Sequence, residues 1–307
     1  NGCEGDAFTV TVTVDPEPLV ADQTVTVCSD VAIGYTIQGD VDTPLVASYN
    51  LISIVDNGLV GSISNQGLGN TLPSDALIGD VWTNDTANSV EVVYTLVPIG
   101  ANGCEGDEFT VTVTVNPEPV VGDQSAFVCS DQALGIDFGP SSSVAASTYN
   151  ITALTLNGLT VSSGGAGVSI GLSASDLSDD AFTNTTPSAV DVVYTVVPVT
   201  SDGCEGDAFT VTVTVNPEPV VDDQTVTVCS DVAIGYTIEG DVDTPVVATY
   251  NLTNVESNGL VGSGTNQGIG NGLSAGALVN DVWTNDTANS VEVVYILVPI
   301  GDNGCEG

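Results

Sequence analysis

The chain has 307 residues and carries 40 acidic residues but no lysine, arginine or histidine, so its formal net charge is −40. Because nothing in it can neutralise phosphates, nucleic acid and bare anionic lipid are excluded as partners, and we expect no direct membrane insertion by this segment. Chemistry that needs an imidazole, an amine or a guanidinium is also excluded. A carboxylate pair of the glycosidase type could still be assembled, but a catalytic site is not expected in tandem near-copies, so we expect no enzyme and no catalytic residue. Any buried carboxylate must be satisfied by backbone N–H groups, a proton or a metal ion.

The sequence repeats with a period of about 100 residues, which indicates an array of domain-sized units. The phrase "NGCEGDAFTVTVTV" at the start returns nearly unchanged from Asn102 and from Asp202, and its first letters return at Asn303. A Pro-Glu-Pro connector follows each full copy and holds the chain extended. We therefore expect a last strand of a preceding repeat at 1–16, a type A repeat at 17–116, a type B repeat at 117–216, and a type A repeat without its last strand at 217–307. On this interpretation the chain is a window of a longer polypeptide.

Alternating apolar and polar residues predict strands along each repeat. In chain order they fall at 8–14, 24–30, 32–37 and 46–54, and at 90–97 paired as a hairpin with 109–115; one helical turn is possible at 74–82. About seven short strands per repeat predict an all-β fold, a tandem array of β-sandwich domains. Stiff connectors and the repulsion between acidic domains predict an extended rod.

Seven cysteines fall into two series with the same spacing, which indicates an extracellular disulfide framework. The series are Cys3, Cys104, Cys204 and Cys305, and Cys28, Cys129 and Cys229. Pairing Cys104 with Cys129 would have to cross a connector. We therefore favour bonds inside each repeat, which are Cys28–Cys104, Cys129–Cys204 and Cys229–Cys305, with Cys3 left for a partner outside the chain or as a free thiol.

The acidic residues near the connectors are the candidate metal ligands, and Ca²⁺ is the one cofactor they suggest. We expect Glu118 and Asp123 to approach Glu205 and Asp207, either binding Ca²⁺ or remaining solvated. A second, thinner candidate is the pair Asp40 and Asp42, which recurs at 241 and 243. Each repeat also has one aromatic residue at an equivalent place, Trp82, Phe182 or Trp283, which we expect in the core rather than on a sugar-binding surface.

The motifs "VTVCSD", "NGCEGD" and "FTVTVTVNPEP" resemble the immunoglobulin-like and PKD-like repeats of Bacteroidota cell-surface adhesins, a group that includes the gliding-motility adhesin SprB. The resemblance covers all three repeats. It implies β-sandwich domains, secretion by the type IX system and a filamentous protein on the cell surface. The Asp-Thr-Ala triplets also resemble the Bacteroidota O-glycosylation signal, which makes Thr86 and Thr287 candidate glycosylation sites unless the triplets are ordinary turns.

The function favoured by the sequence is structural: a stalk or filament segment of a large secreted adhesin that projects a distal binding region. Its partners would then be the neighbouring repeats of the same chain. The alternative is that the repeats themselves bind glycans or neighbouring filaments. A core position for the tryptophans favours the stalk, and exposed tryptophans would favour the binding module.

Overall fold

The computed structural model describes residues 2–39, 44–165, 167–240 and 245–307. Within these ranges, no helix has the length and hydropathy needed to cross a bilayer. The described backbone is strand, turn and irregular structure throughout, so the all-β prediction is confirmed. The chain divides into two compact units, one comprising Asn1–Val121, Pro140–Ser147 and Pro198–Asp207 and the other comprising Gly122–Gly139, Thr148–Val197 and Ala208–Gly307.

Each unit is built from short strands that follow the predicted alternation. Unit 1 contains β1 (Gln23–Cys28), β2 (Val46–Val55), β3 (Val60–Gly61), β4 (Gly69–Leu72), β5 (Trp82–Thr83), β6 (Val90–Gly100) and β7 (Phe109–Asn116). The other strands are β8 (Gln124–Cys129), β9 (Thr148–Thr155), β10 (Thr160–Ser163), β11 (Ser169–Leu172), β12 (Ala181–Thr183), β13 (Val190–Val199), β14 (Phe209–Asn216), β15 (Val247–Glu256), β16 (Val261–Gly262), β17 (Gly270–Leu273), β18 (Trp283–Thr284) and β19 (Val294–Gly301). They belong to unit 2, except that the last two residues of β13 count with unit 1.

Unit 1 has a five-stranded sheet in the order β1-β7-β6-β2-β4 and a small sheet of β3 and β5. The predicted hairpin is present, because β6 and β7 pair antiparallel with Val90 opposite Val115 and Leu96 opposite Phe109. The alternation places every second residue of β7 in the core, where Val111 is 0 % exposed. Unit 2 repeats the arrangement in the sheet β11-β9-β13-β14-β8 and contains a shorter sheet, β17-β15-β19.

The first and last strands of a repeat run parallel to each other. In unit 1, β1 pairs with β7 so that Gln23 lies opposite Val111 and Cys28 opposite Asn116. In unit 2, β8 pairs with β14 in the same way, with Cys129 opposite Asn216. Cys28 and Cys129 therefore lie beside the end of the last strand, where the chain leaves the repeat.

This pairing makes the predicted disulfides wrong. The structure contains Cys28–Cys204 and Cys129–Cys305, each spanning 176 residues, with Cα atoms 5.4 and 5.6 Å apart. Cys104 precedes β7 and Cys28 lies at its far end, so eight strand residues, or about 25 Å, separate two Cα atoms that a disulfide needs within about 7 Å. Cys3, Cys104 and Cys229 are free.

Some predicted local elements also differ from the structure. No strand forms at 8–14 among the described residues, and Phe8 is 86 % exposed, because the two strands that flank its counterpart β7 have no equivalent beside it. The segment 32–37 contributes only an isolated bridge between Ala32 and Val81. The possible helical turn is a series of turns, with the N–H of Ile78 donating to the carbonyl of Asp75.

A buried carboxylate lies in the core of the first repeat and is satisfied without a cation. The Tyr94 hydroxyl donates to Oδ2 of Asp80 at 2.8 Å, and the backbone N–H of Gln66 donates to Oδ1 at 2.6 Å. Trp82 Nε1 donates to the same hydroxyl at 2.8 Å. Burial raises the pKa of Asp80, and burial together with the neighbouring Asp80 raises the pKa of Tyr94. Trp82 is 6 % exposed, so its predicted core position is confirmed.

The tyrosine at the centre of this network offers a matched pair of substitutions. We expect Tyr94→Phe to lower the free energy of unfolding by about 3 kcal/mol, because both Asp80 and Trp82 lose a buried hydrogen-bond partner. Tyr194 donates to Asp180 at 2.8 Å, but Phe182 replaces the tryptophan and donates nothing. Tyr194→Phe should therefore cost about 1 kcal/mol less. Calorimetric unfolding of both variants checks this, and equal losses would contradict it.

The disulfide pairing can be mapped with the endoproteinase Asp-N, which cuts before aspartate and places every cysteine on a separate peptide. Trypsin is useless here, since the chain has no lysine or arginine. We expect the Cys129 peptide, DQSAFVCS, to be recovered linked to residues 302–307, because Cys129 bonds Cys305. Its recovery linked to DGCEG at 202–206 would instead support a bond inside the repeat and contradict the structure.

Candidate functional site

The candidate functional site is the junction that follows a repeat, where buried prolines, a disulfide and several carboxylates lie close together. In unit 1 it consists of the connector Pro117–Glu118–Pro119, the end of β1, and the hairpin 198–207 of the next sequence repeat. Both connector prolines are buried and Glu118 is half-buried. The Cys28–Cys204 disulfide fastens the hairpin to the end of β1. The junction is thus a packed contact and not an open linker.

The "CEG" motif of the hairpin is shaped by this contact. Cys204 is 0 % exposed, and its backbone N–H donates to Oγ1 of Thr200 at 3.0 Å. The backbone of Gly206 lies directly against Pro119, so that a Cβ on Gly206 would overlap the Pro119 carbonyl oxygen. Only glycine leaves room for this approach. The same relation recurs in unit 2, where Gly307 lies against Pro219, and Cys305 is 0 % exposed.

An acidic cluster surrounds Glu118 beside the disulfide. Burial is the main reason that the pKa of Glu118 rises to about 7, and the charges of Asp30, Asp207 and Asp85 add to it. Glu118 also shares a hydrogen bond with Asp30. Two carboxyl groups can share a hydrogen bond only if one is protonated. Protonation of Glu118 therefore reduces the repulsion between the carboxylates at this junction, as a lysine or arginine would in other proteins.

The carboxylates of this cluster differ from those we expected. Of the predicted calcium ligands, Glu118 and Asp207 are within electrostatic reach of each other, whereas Asp30 and Asp85 were not anticipated. Asp123 accepts the Thr210 backbone N–H at 2.7 Å, which lowers its pKa, and Glu205 forms a backbone bridge with Val199. Among the described residues, no three His, Cys, Asp or Glu side chains are placed to hold one metal ion. The other candidate pair, with its copy at 241 and 243, lies outside the described residues.

Asp30 is held in position by the turn that follows β1. Its backbone has φ of 59°, a conformation that aspartate tolerates better than most residues. Oδ1 accepts the Thr83 hydroxyl at 2.5 Å and Oδ2 accepts the Ser29 hydroxyl at 3.0 Å. These bonds aim the carboxylate toward the connector. The signal in the sequence was the "CSD" motif, since a residue two positions after Cys28 must lie at the same end of the repeat.

The junction in unit 2 has the same parts in a weaker form. Burial, followed by the charge of Asp131, raises the pKa of Glu218. Asp131 accepts the Thr183 hydroxyl at 2.6 Å, which lowers its own pKa. The cluster is smaller because the effects on Glu218 come from one neighbouring carboxylate, compared with three at Glu118.

Both candidate glycosylation sites lie in exposed turns. The Thr86 hydroxyl donates to Oδ1 of Asn84 at 2.7 Å, and Thr287 donates to Asn285 in the same way at 2.7 Å. Asn84 is itself 1 % exposed and its Nδ2 donates to the carbonyls of Asn88 and Val115 at 2.9 and 2.7 Å. The Asn-Asp-Thr triplet thus closes the turn and fastens it to β7, and modification of either threonine stays a prediction.

These features define a class: all-β tandem repeats of the β-sandwich type, in which disulfides join one repeat to the next. The model of the PKD-like domain matches the chain three times, at residues 25–119, 126–219 and 226–307. The chain therefore belongs to the PKD-like domain family. Such repeats, together with disulfides, are typical of extracellular structural or adhesion proteins. The domain boundaries predicted from the sequence stay a prediction.

Comparison with curated proteins found no match. Among solved structures, the chain is similar to the chicken CNTN1 FN1–FN3 domains, with 11 % identity, a TM-score of 0.31 and coverage of 94 % of this chain and 93 % of that one. It is also similar to Drosophila N-cadherin EC1–4, with 11 % identity, a TM-score of 0.23 and coverage of 95 % and 74 %. TM-scores this low carry no argument, so the family assignment rests on the three domain matches.

The raised pKa of Glu118 gives a testable dependence of stability on pH. A carboxyl group whose pKa is higher in the folded than in the unfolded chain stabilises the fold at low pH, and this contribution is lost as the pH rises from about 4.5 to 7. We expect Glu118→Gln to unfold like the parent at pH 4.5 and at a higher temperature than the parent at pH 8. Thermal unfolding of both chains across this range measures the difference.

Glu17→Gln is the matched control, because Glu17 occupies the same place in the first Pro-Glu-Pro connector and is exposed. Parallel curves for the parent and Glu118→Gln would show that the cluster does not hold a proton. Each titration is repeated with EDTA at matched ionic strength, since bound Ca²⁺ would also offset the repulsion. A fall in unfolding temperature on chelation would identify Ca²⁺ as the counter-ion.

Proposed function

We propose that this chain is a load-bearing stalk segment of a large secreted adhesin on a bacterial cell surface, whose repeats project a distal binding region. The coarser statement, that these are extracellular structural or adhesion repeats, follows from the family. The observation that carries the finer one is the pair of disulfides, because both join consecutive sequence repeats. A covalent bond at each junction is of most use to a chain that is pulled along its length.

The two disulfides shorten the covalent path through the chain. A pull applied to the ends passes from residue 1 to Cys28, across to Cys204, back to Cys129, and across to Cys305. The path contains about 104 residues instead of 306, so complete unfolding extends it to about 360 Å instead of about 1,070 Å. Unfolded repeats therefore cannot lengthen the stalk freely, which keeps a surface tether short under load.

The buried position of the aromatic residues favours a stalk function over sugar binding by the repeats themselves. Trp82 is buried and its indole N–H is used by Tyr94, so its ring offers no platform for a sugar. Phe182, at the equivalent position, is 0 % exposed. Glycan or filament binding by the repeats themselves is the second function, and it would have to use another surface.

The cellular setting belongs to the same proposal. The resemblance to Bacteroidota adhesin repeats supports secretion by the type IX system, a place on the cell surface and a role in adhesion or gliding motility. Neighbouring repeats are the partners of first importance, and other filaments or surface glycans are partners of the distal region. Glycan on Thr86 and Thr287 would fit passage through a Bacteroidota periplasm.

Single-molecule pulling tests the load-bearing role. With handles at both ends of the full chain, we expect the oxidised protein to reach a fully extended length about one third of that of the reduced protein, because both disulfides bridge the path. The chain with Cys28→Ser and Cys204→Ser is the control that keeps one bond and should reach an intermediate length. Equal extension of the oxidised and reduced chains would contradict the proposal.

A further inference from the structure

We propose that the two disulfides make the three repeats share one load, so that a pull along the chain has to open all of them together. This proposal rests on the stalk function given above and concerns the force that the chain resists, whereas the covalent path fixes only its extended length. The Cys129–Cys305 bond begins inside the loop that Cys28–Cys204 closes and ends outside it. Overlapping bonds of this kind join backbone segments side by side, whereas consecutive bonds would close separate loops.

Three backbone segments run between the two bonds. Each of them starts at the Cys28–Cys204 bond and finishes at the Cys129–Cys305 bond, or the reverse. They contain most of the first, second and third matched domains in turn. A tension that enters at one bond and leaves at the other is therefore divided among three segments, which are segment 1 (28–129), segment 2 (129–204) and segment 3 (204–305).

Segment 1 can lengthen only if the first repeat opens. It leaves the disulfide at Cys28 and passes through the repeat to Asn116, which lies opposite Cys28 in the pair of β1 and β7. The backbone N–H of Ser29 donates to the carbonyl of Asn116 at 2.8 Å. The rest of the segment is the connector and β8, and a strand has little length to give. The reserve of length in segment 1 is therefore folded inside the repeat.

Segment 3 has the same parts in the opposite order. Its first residues, 205–216, end with β14 and lead through the connector into the third repeat. Nδ2 of Asn303 donates to the carbonyl of Pro217 at 3.0 Å, so the chain is in contact with itself where it enters the repeat and where it approaches Cys305. Segment 3 can lengthen only if this contact breaks and the third repeat opens.

Segment 2 is the interior of the second repeat, and its sheet ties the three segments together. Cys129 lies opposite Asn216 at the end of β14, whereas Cys204 precedes the start of β14, so the two cysteines lie at opposite ends of this sheet. β8 of segment 1 pairs with β14 of segment 3 over six residues, and β14 pairs with β13 of segment 2 over seven. A pull between the two disulfides therefore loads all three segments at the same time.

Loss of either bond would end this division of the load. Without Cys28–Cys204, the pull passes along residues 1–129 and loads the first repeat alone, because residues 130–304 form a loop whose ends meet at Cys129–Cys305. Without Cys129–Cys305, residues 29–203 form the unloaded loop and the third repeat is loaded alone. The two bonds share the load only as a pair.

Force spectroscopy at constant tension tests this sharing. The oxidised full chain, held by its two ends, is compared with the variant that has Cys28→Ser and Cys204→Ser, in which the first repeat is loaded alone. We expect the parent to survive at least tenfold longer at the same force, because each segment bears only part of the tension and forced unfolding follows the unfolding rate. A parent lifetime equal to that of the variant, or shorter, would overturn the proposal. Every chain also carries Cys3→Ser, Cys104→Ser and Cys229→Ser, so that no other disulfide forms.

Two core leucines at equivalent positions supply a matched pair of substitutions. Leu77 in the first repeat is 0 % exposed and Leu177 in the second is 1 % exposed, so alanine at either position leaves a cavity and weakens its repeat. In the single-bond variant, Leu77→Ala should shorten the lifetime under load at least tenfold. Leu177→Ala, which lies in the unloaded loop of that variant, should change it less than twofold.

The same substitution should matter much less when both bonds are present. In the oxidised parent we expect Leu77→Ala to shorten the lifetime less than threefold, because segments 2 and 3 still hold. A tenfold loss there would show that the first repeat bears the tension alone and would refute the sharing. If Leu77→Ala does not fold, the comparison of the parent with the single-bond variant still decides.

The extended length separates this result from the stalk proposal itself. A parent that reaches one third of the reduced length, yet yields at the same force as the single-bond variant, would leave the covalent path intact and contradict the shared load. A parent that extends as far as the reduced chain would contradict both.

Discussion

The parallel pairing of the first strand of a repeat with its last strand is the constraint on which the rest depends. It carries Cys28 the full length of β7, to the point where Asn116 passes into the connector. From there the cysteine can reach only what lies beyond the repeat, and in unit 1 that is the hairpin containing Cys204. An antiparallel first strand would have placed Cys28 near Cys104, and the junction would have remained an uncrosslinked linker.

The absence of cations determines how the acids are accommodated. In the core, Asp80 accepts hydrogen bonds from the Tyr94 hydroxyl and the Gln66 backbone N–H, so the carboxylate is satisfied by neutral donors. At the junction the donors are too few, and the pKa of Glu118 rises until a proton is retained near neutral pH. Each solution replaces a salt bridge, and the raised pKa of Glu118, about 7, makes the second one depend on pH in the physiological range.

Alternation and period were sufficient to predict the β-sandwich class, the hairpin of β6 and β7 and the core position of Trp82. These features depend on the alternation of apolar and polar residues, which is visible within a few neighbouring positions of the sequence. The disulfides were missed because they depend on the direction in which one strand pairs, which a period of two cannot reveal. The signal was nevertheless there: a strand of six residues carries Cys28 about 20 Å from the connector before it. Asp30 was missed for the same reason, since it follows Cys28 to that end.

The disulfides of this chain therefore cross-link the junctions between repeats and not the interior of any single repeat. Each bond spans 176 residues, far more than one repeat, so a repeat cut out alone keeps two cysteines without their partners. The compact units reflect this, since unit 1 includes the hairpin 198–207 of the second sequence repeat. Glycine at 206 fits the same arrangement, because its backbone approaches the Pro119 carbonyl of the connector as well as Pro198 of the hairpin.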